Sequence, residues 1–136
     1  MKKPYFLFRV RACQEVYIEL LATPGVQSSM SYYMIFGASD NTKAILYKII
    51  DGQEQEVYSN NRDDFLTCDT LKLFWVALDN QGQGELKIEA GQGRTIYEDS
   101  FIQYTDQAPL TVKAVSLASS RKVRGSANWE FSGDAG

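Results

Sequence analysis

Residues 66–93 read LTCDTLKLFWVALDNQGQGELKIEAGQG, two extended segments parted by glycines. Residues 71–78, LKLFWVAL, crowd aromatic and branched side chains into a run too short for a globular helix of that hydrophobicity, so the spacing predicts a buried strand. Asp79, Asn80, Gln81, Gly82, Gln83 and Gly84 then turn the chain, because they tolerate positive φ or bond their own backbone. Residues 85–90, ELKIEA, alternate polar and apolar side chains, as a half-buried strand does.

The same pattern extends in both directions from this hairpin. Residues 5–11 (YFLFRVR) alternate, with Phe6, Phe8 and Val10 on one face and Arg9 and Arg11 on the other. Residues 16–21, 31–36 and 42–50 read as further strands, punctuated by Thr23-Pro24-Gly25, by the loop Gly37-Ala38-Ser39-Asp40-Asn41, and by the hairpin pair Asp51-Gly52. Residues 55–58 form a short strand ahead of a polar loop over 59–64. After the central hairpin, Gly91-Gln92-Gly93-Arg94 turns the chain, and short strands are expected at 94–97, 101–104, 110–117 and 127–131. No segment carries a capped helical period. About ten short strands with turn signals between them predict an all-β fold, an antiparallel two-sheet β-sandwich of jelly-roll type. No domain boundary, repeat or low-complexity tract interrupts residues 1–136, which read as a single domain.

Composition narrows the chemistry. The chain carries a net charge of −3, and its densest positive patch is Arg121-Lys122-Val123-Arg124. A chain without a basic stripe is a poor partner for nucleic acid, whose phosphates dominate affinity. There are no histidines, which removes the commonest general base, the commonest zinc ligand and every Ser-His or Cys-His pair. No apolar run is long enough to span a bilayer, so membrane insertion is not expected. The N-terminus leads straight into a strand with no signal peptide, as in a cytosolic chain or a mature extracellular one. The two cysteines, Cys13 and Cys68, allow two readings: buried thiols, or one disulfide joining the first strand region to the hairpin.

Several groups could carry recognition. Asp40, Asn41 and Lys43 lie on a glycine-started loop and together supply acceptors and donors for sugar hydroxyls; the same residues also suit an Asx turn before a strand. Asn60, Asn61 and Arg62 form a second polar cluster, and Arg121 and Arg124 could grip a sugar or an acidic group, or simply be solvated. Trp129 could stack on a pyranose face, whereas Trp75 lies in the most apolar strand and reads as core. The adjacent carboxylates Asp63-Asp64 and Glu98-Asp99 diverge too readily for a glycosidase pair. No spaced D-x-D loop points to calcium, and no metal site is expected.

Across residues 5–131, several pieces in order resemble the farnesoic acid O-methyltransferase-like domain family. They are Phe8-Arg9-Val10-Arg11-Ala12-Cys13, the loop from Gly37 to Lys43, Phe65-Leu66-Thr67-Cys68-Asp69, Phe74-Trp75-Val76, Ile88-Glu89-Ala90-Gly91-Gln92-Gly93, Gly125, and Trp129-Glu130-Phe131. Tyr104 stands where the family usually has tryptophan, and Ala90 replaces a common glycine. The family description implies methyl transfer from S-adenosylmethionine. Such a cofactor usually sits at a glycine-rich strand-to-helix turn, whereas Gly82-Gln83-Gly84 and Gly91-Gln92-Gly93 join strand to strand here. What the resemblance otherwise implies is an extracellular recognition module, similar to single-domain invertebrate lectins of β-galactosides and N-acetyllactosamine-type glycans. On that reading Asp40, Asn41, Lys43, Arg124 and Trp129 bind the glycan. No catalytic residue or cofactor is expected, and weak single sites favour a homodimer or higher homo-oligomer. The alternatives are the methyltransferase itself and a structural adhesion module.

Overall fold

The computed structural model describes residues 5–12, 15–21, 30–63, 65–80, 84–112, 114–119 and 128–134. Two antiparallel sheets of five strands face each other, as expected of an all-β sandwich. The strands are β1 (Tyr5–Arg11), β2 (Val16–Leu21), β3 (Ser31–Gly37), β4 (Lys43–Ile50), β5 (Gln53–Asn61), β6 (Lys72–Asn80), β7 (Leu86–Gln92), β8 (Ser100–Asp106), β9 (Ala114–Ser119) and β10 (Asn128–Asp134). One sheet has the order β10-β1-β6-β7-β8 and the other β5-β4-β3-β2-β9. The outer turns of the winding follow a jelly roll: first strand pairs with last, β1 with β10, and second with second-to-last, β2 with β9. Inside that wrap the chain makes two meanders, β2 to β5 and β6 to β8.

Strand alternation sets the core. Phe8, Val10, Val16, Ile18, Leu20, Tyr32, Met34, Phe36, Leu46, Phe74, Val76 and Ile88 are buried between the sheets. Near one end of the sandwich the core becomes aromatic: Phe36 meets Phe101 edge-on at 5.0 Å, Phe65 meets Phe101 at 4.9 Å, and Phe74 lies 5.2 Å from Phe36. These rings come from both sheets and from the segment ahead of β6, so they fix the sheets to each other where the loops begin.

Towards the opposite end the core contains a charge pair. Lys48 Nζ lies 2.7 Å from Asp106 Oδ2, and both side chains are under a tenth exposed. The Tyr32 hydroxyl donates to the same carboxylate oxygen at 2.7 Å and accepts the Leu110 N–H at 3.0 Å. Lys48 also donates to the Ala108 carbonyl, and the Ala108 N–H donates to Asp106 Oδ1. One network thus ties β3 and β4 of one sheet to the crossing segment that leaves β8 of the other. Burial and then the Asp106 hydrogen bond push the Tyr32 hydroxyl well above the usual tyrosine range.

Outward-facing side chains form a smaller apolar layer on the second sheet. Tyr17, Tyr33 and Tyr47 stack across β2, β3 and β4, with centroids 6.0 and 4.8 Å apart, around Ile35, Ala38 and Ile45. Burial, followed by a hydrogen bond to Glu54, raises the Tyr33 hydroxyl, and burial beside Glu56 and Glu54 raises Tyr47.

Several strand expectations change. The short strand expected over 55–58 is β5, Gln53–Asn61, so residues 59–61 of the expected polar loop are strand. Residues 94–97 are a turn and not a strand, because Gly93 and Tyr97 take positive φ. The strand expected over 110–117 begins only at Ala114. Trp75 is fully buried, as its place in the most apolar strand led us to expect, and it packs on the face turned away from the inter-sheet cluster. Strict alternation in β6 sends Phe74 and Val76 inward and Trp75 to the outer face, where it lies against Gly91 of β7.

Candidate functional site

The strand registers sort the loops into two ends. Val16 pairs with Phe36, Phe36 with Ala44, and Lys43 with Asn61, so the β1–β2, β3–β4 and β5–β6 connections leave the sandwich together. Val10 pairs with Lys72, Phe74 with Gln92, and Gly91 with Ser100, which brings the β7–β8 loop to the same end. Arg11 pairs with Asn128 and Val16 with Ser119, so β9 finishes and β10 starts there.

This end is where the backbone is strained. Of the seven non-glycine residues at positive φ among the described residues, all but Asp51 are at this end: Glu15, Ser39, Asp40, Asn41, Tyr97 and Asp99. Each such residue costs about 1–3 kcal/mol and persists only where its surroundings hold it, a pattern that marks ligand sites. Asp51 is the ordinary exception, since Asp-Gly is the preferred pair of a tight hairpin.

The β3–β4 turn is the most unusual part. Ser39, Asp40 and Asn41 are left-handed in succession, and the Thr42 N–H closes the turn on the Ala38 carbonyl at 3.0 Å. Left-handed L-residues normally occur singly. Asn41 holds this turn in place. Its amide donates to the Leu66 carbonyl at 2.8 Å and accepts the Leu66 N–H at 2.9 Å, so the side chain pairs with the 65–68 segment as a neighbouring strand would. Cys68, two residues further on, is disulfide-bonded. Cys13, the only other cysteine in the sequence, lies outside the described residues.

The expected site residues therefore separate by role. Asp40 is exposed and Lys43 half-buried at the start of β4, and neither side chain has a partner among the described residues. Asn41, expected as a ligand group, has its amide engaged by the backbone of Leu66. Trp129 lies in β10 opposite Val10, at this end by its register, though its side chain is outside the described part. Arg124 also lies outside the described residues.

Arg62 joins the turn to the β7–β8 loop. Its N–H donates to the Thr42 carbonyl at 2.9 Å, its guanidinium pairs with Asp99 at 2.9 Å, and that group sits 5.3 Å from the centre of the Phe101 ring. Asn60, near the end of β5, donates to the Phe101 carbonyl. Asn60 and Arg62 of the polar cluster read at residues 60–62 thus reach across to the other sheet at the loop end.

Sequence reasoning missed loop 93–99 as part of this end. Trp75 lies beneath it, and its indole N–H donates to the Glu98 carbonyl at 3.0 Å. Tyr97 packs edge-on against the indole at 5.8 Å yet stays 44% exposed. An aromatic edge contact is worth about 0.5–1.5 kcal/mol, no more than the roughly 1–3 kcal/mol cost of a left-handed bulky residue. The available signal was the pair Gly91 and Gly93: Gly91 leaves room for the Trp75 ring, and Gly93 turns at φ 110°. Neither glycine precedes a helix, so the pair is a packing and turning device and not a phosphate cradle.

Replacing Asn41 with alanine is expected to lower stability by about 1–3 kcal/mol, because both Leu66 backbone groups lose their partner in a half-buried place. Urea unfolding measures it. Asn41→Asp should fall in between, since it keeps the acceptor and loses the donor; equal stability of all three proteins would show that the clamp does not hold the turn.

Among the described residues, no group of three or more His, Cys, Asp or Glu could hold a metal ion, and no helix is long and apolar enough to cross a membrane. A search of curated proteins returns no match for the chain. The family model described as farnesoic acid O-methyltransferase matches residues 1–133, nearly the whole length. The chain therefore belongs to the farnesoic acid O-methyltransferase family.

Proposed function

We propose that the protein is a lectin that binds β-galactosides and N-acetyllactosamine-type glycans and acts by binding, without catalysis. The observation that supports this most is the locked left-handed turn. It presents Asp40, and β4 begins with Lys43 just after it, neither side chain having a partner among the described residues, at one end of the sandwich. A sugar presents hydroxyls that both donate and accept, and it is best bound by acceptors and donors whose positions are set beforehand. The choice of β-galactosides rests on the resemblance to single-domain invertebrate lectins, and no residue of this end dictates it. The chain has no histidine to serve as general base, and no glycine pair among the described residues leads into a helix. The disulfide at Cys68 suits an extracellular protein.

Lactose and N-acetyllactosamine on a glycan array test the reading. Binding by the native protein and at least tenfold weaker binding by Asp40→Ala are expected, about 1.4 kcal/mol for loss of a hydrogen bond to a charged group. Silence across every β-galactoside would favour an adhesion module. The family description keeps the enzyme reading in play: micromolar binding of S-adenosylmethionine with methyl transfer to a carboxylic acid would replace the lectin. Weak single sites also lead us to propose a homodimer or higher multiple, which light scattering would contradict with a mass near 15.3 kDa.

A further inference from the structure

We infer that Tyr97 is a ligand-contacting residue, its exposed ring being the platform on which the apolar face of a hexopyranose stacks. This rests on the carbohydrate reading above and extends it to a second loop of the same end. The inference begins from a residue that stability does not explain. Tyr97 is a bulky aromatic at φ 71°, a conformation that glycine or asparagine takes far more readily. The residue is 44% exposed, so burial offsets little of that strain. Its one ring contact among the described residues is the edge of Trp75.

The surroundings hold the ring still. Trp75, fully buried, anchors the loop by donating to the Glu98 carbonyl. The Glu98 N–H donates to the Thr95 carbonyl at 3.3 Å, and the Gln92 N–H donates to the Asp99 carbonyl at 3.1 Å. Asp99 is further tied to Arg62, the residue that also binds the left-handed turn. An exposed aromatic on a braced loop binds at a low cost in lost freedom. Arg94, Glu98 and Asp99 are exposed on the same loop and bring donors and acceptors to it. An exposed aromatic ring on a loop that also carries such groups matches a pyranose, which has an apolar C–H face and hydroxyls around its rim.

The test is calorimetric titration of lactose and N-acetyllactosamine into the native protein and into Tyr97→Phe, Tyr97→Ala and Tyr97→Gly, with urea unfolding of each. The phenylalanine variant should bind within about threefold of native, and the alanine and glycine variants at least about tenfold more weakly. Tyr97→Gly should be no less stable than the native protein, because glycine relieves the strained φ. Weak binding by a stable Tyr97→Gly protein thus separates ligand contact from a folding defect. Native affinity in the alanine and glycine variants overturns the inference and leaves the lectin reading intact. A native protein that binds neither sugar overturns both.

Discussion

Replacing Lys48 with methionine is expected to lower folding stability by about 3–5 kcal/mol, the cost of leaving a buried charge without its partner. Asp106 then keeps only the Tyr32 hydroxyl and the Ala108 N–H in a place almost closed to water. The pH dependence gives a second readout. In the native protein burial raises the Asp106 carboxyl, but the hydrogen bonds from Lys48, Tyr32 and Ala108 outweigh it and hold the group below its ordinary 3.8. A depressed carboxyl stabilises the fold above the unfolded value, and that contribution is lost as pH falls through the folded value. Stability should therefore rise with pH in the window just below 3.8. In Lys48→Met the strongest lowering influence is gone, so the folded value moves up towards the unfolded one. The rise of stability with pH in the window just below 3.8 should then be shallower than in the native protein. Urea unfolding across acid pH measures both. Equal slopes in the two proteins would show that this pair does not govern the acid response.

Residue by residue, the sequence was legible where one face of a strand decides the energy. Alternation in residues 5–11 and 85–90 marks Phe8, Val10 and Ile88 as inward residues, and they are fully buried. It was less legible where both faces are apolar. LKLFWVAL gives no hint from hydrophobicity alone that Trp75 and Phe74 part company; only the period of two does so. The network of Lys48, Asp106 and Tyr32 was also hidden, because it joins residues 74 positions apart and a lysine within a strand reads as exposed. At the loop end, Gly37, Asp40 and Asn41 are residue types that accept positive φ, so a turn was readable. Three successive left-handed residues were not, since they depend on Asn41 reaching Leu66, 25 positions away. Arg62 and Asp99 meet for the same kind of reason, because β5 ends beside the start of β8 in the facing sheet.

Trp75→Ala is expected to cost about 3–5 kcal/mol, in the range for a large buried aromatic. It should also abolish any binding that depends on loop 93–99, because the indole is both the surface under Tyr97 and the donor to Glu98. The neighbouring strand offers a sharper test. A Cβ placed on Gly91 would lie inside contact distance of three atoms of the Trp75 ring, which is rigid and has no flexible end to move aside. Gly91→Ala in the native background is therefore expected to cost about 1–3 kcal/mol through overpacking. In the Trp75→Ala background that clash has no partner, and the methyl group begins to fill the space the indole leaves. The double variant should then be at least as stable as Trp75→Ala alone, a coupling of about 1 kcal/mol or more. Urea unfolding of the four proteins closes the cycle. Additive costs would mean that Gly91 is required by its own backbone and not by the tryptophan, and the indole would lose its place as the base of the loop.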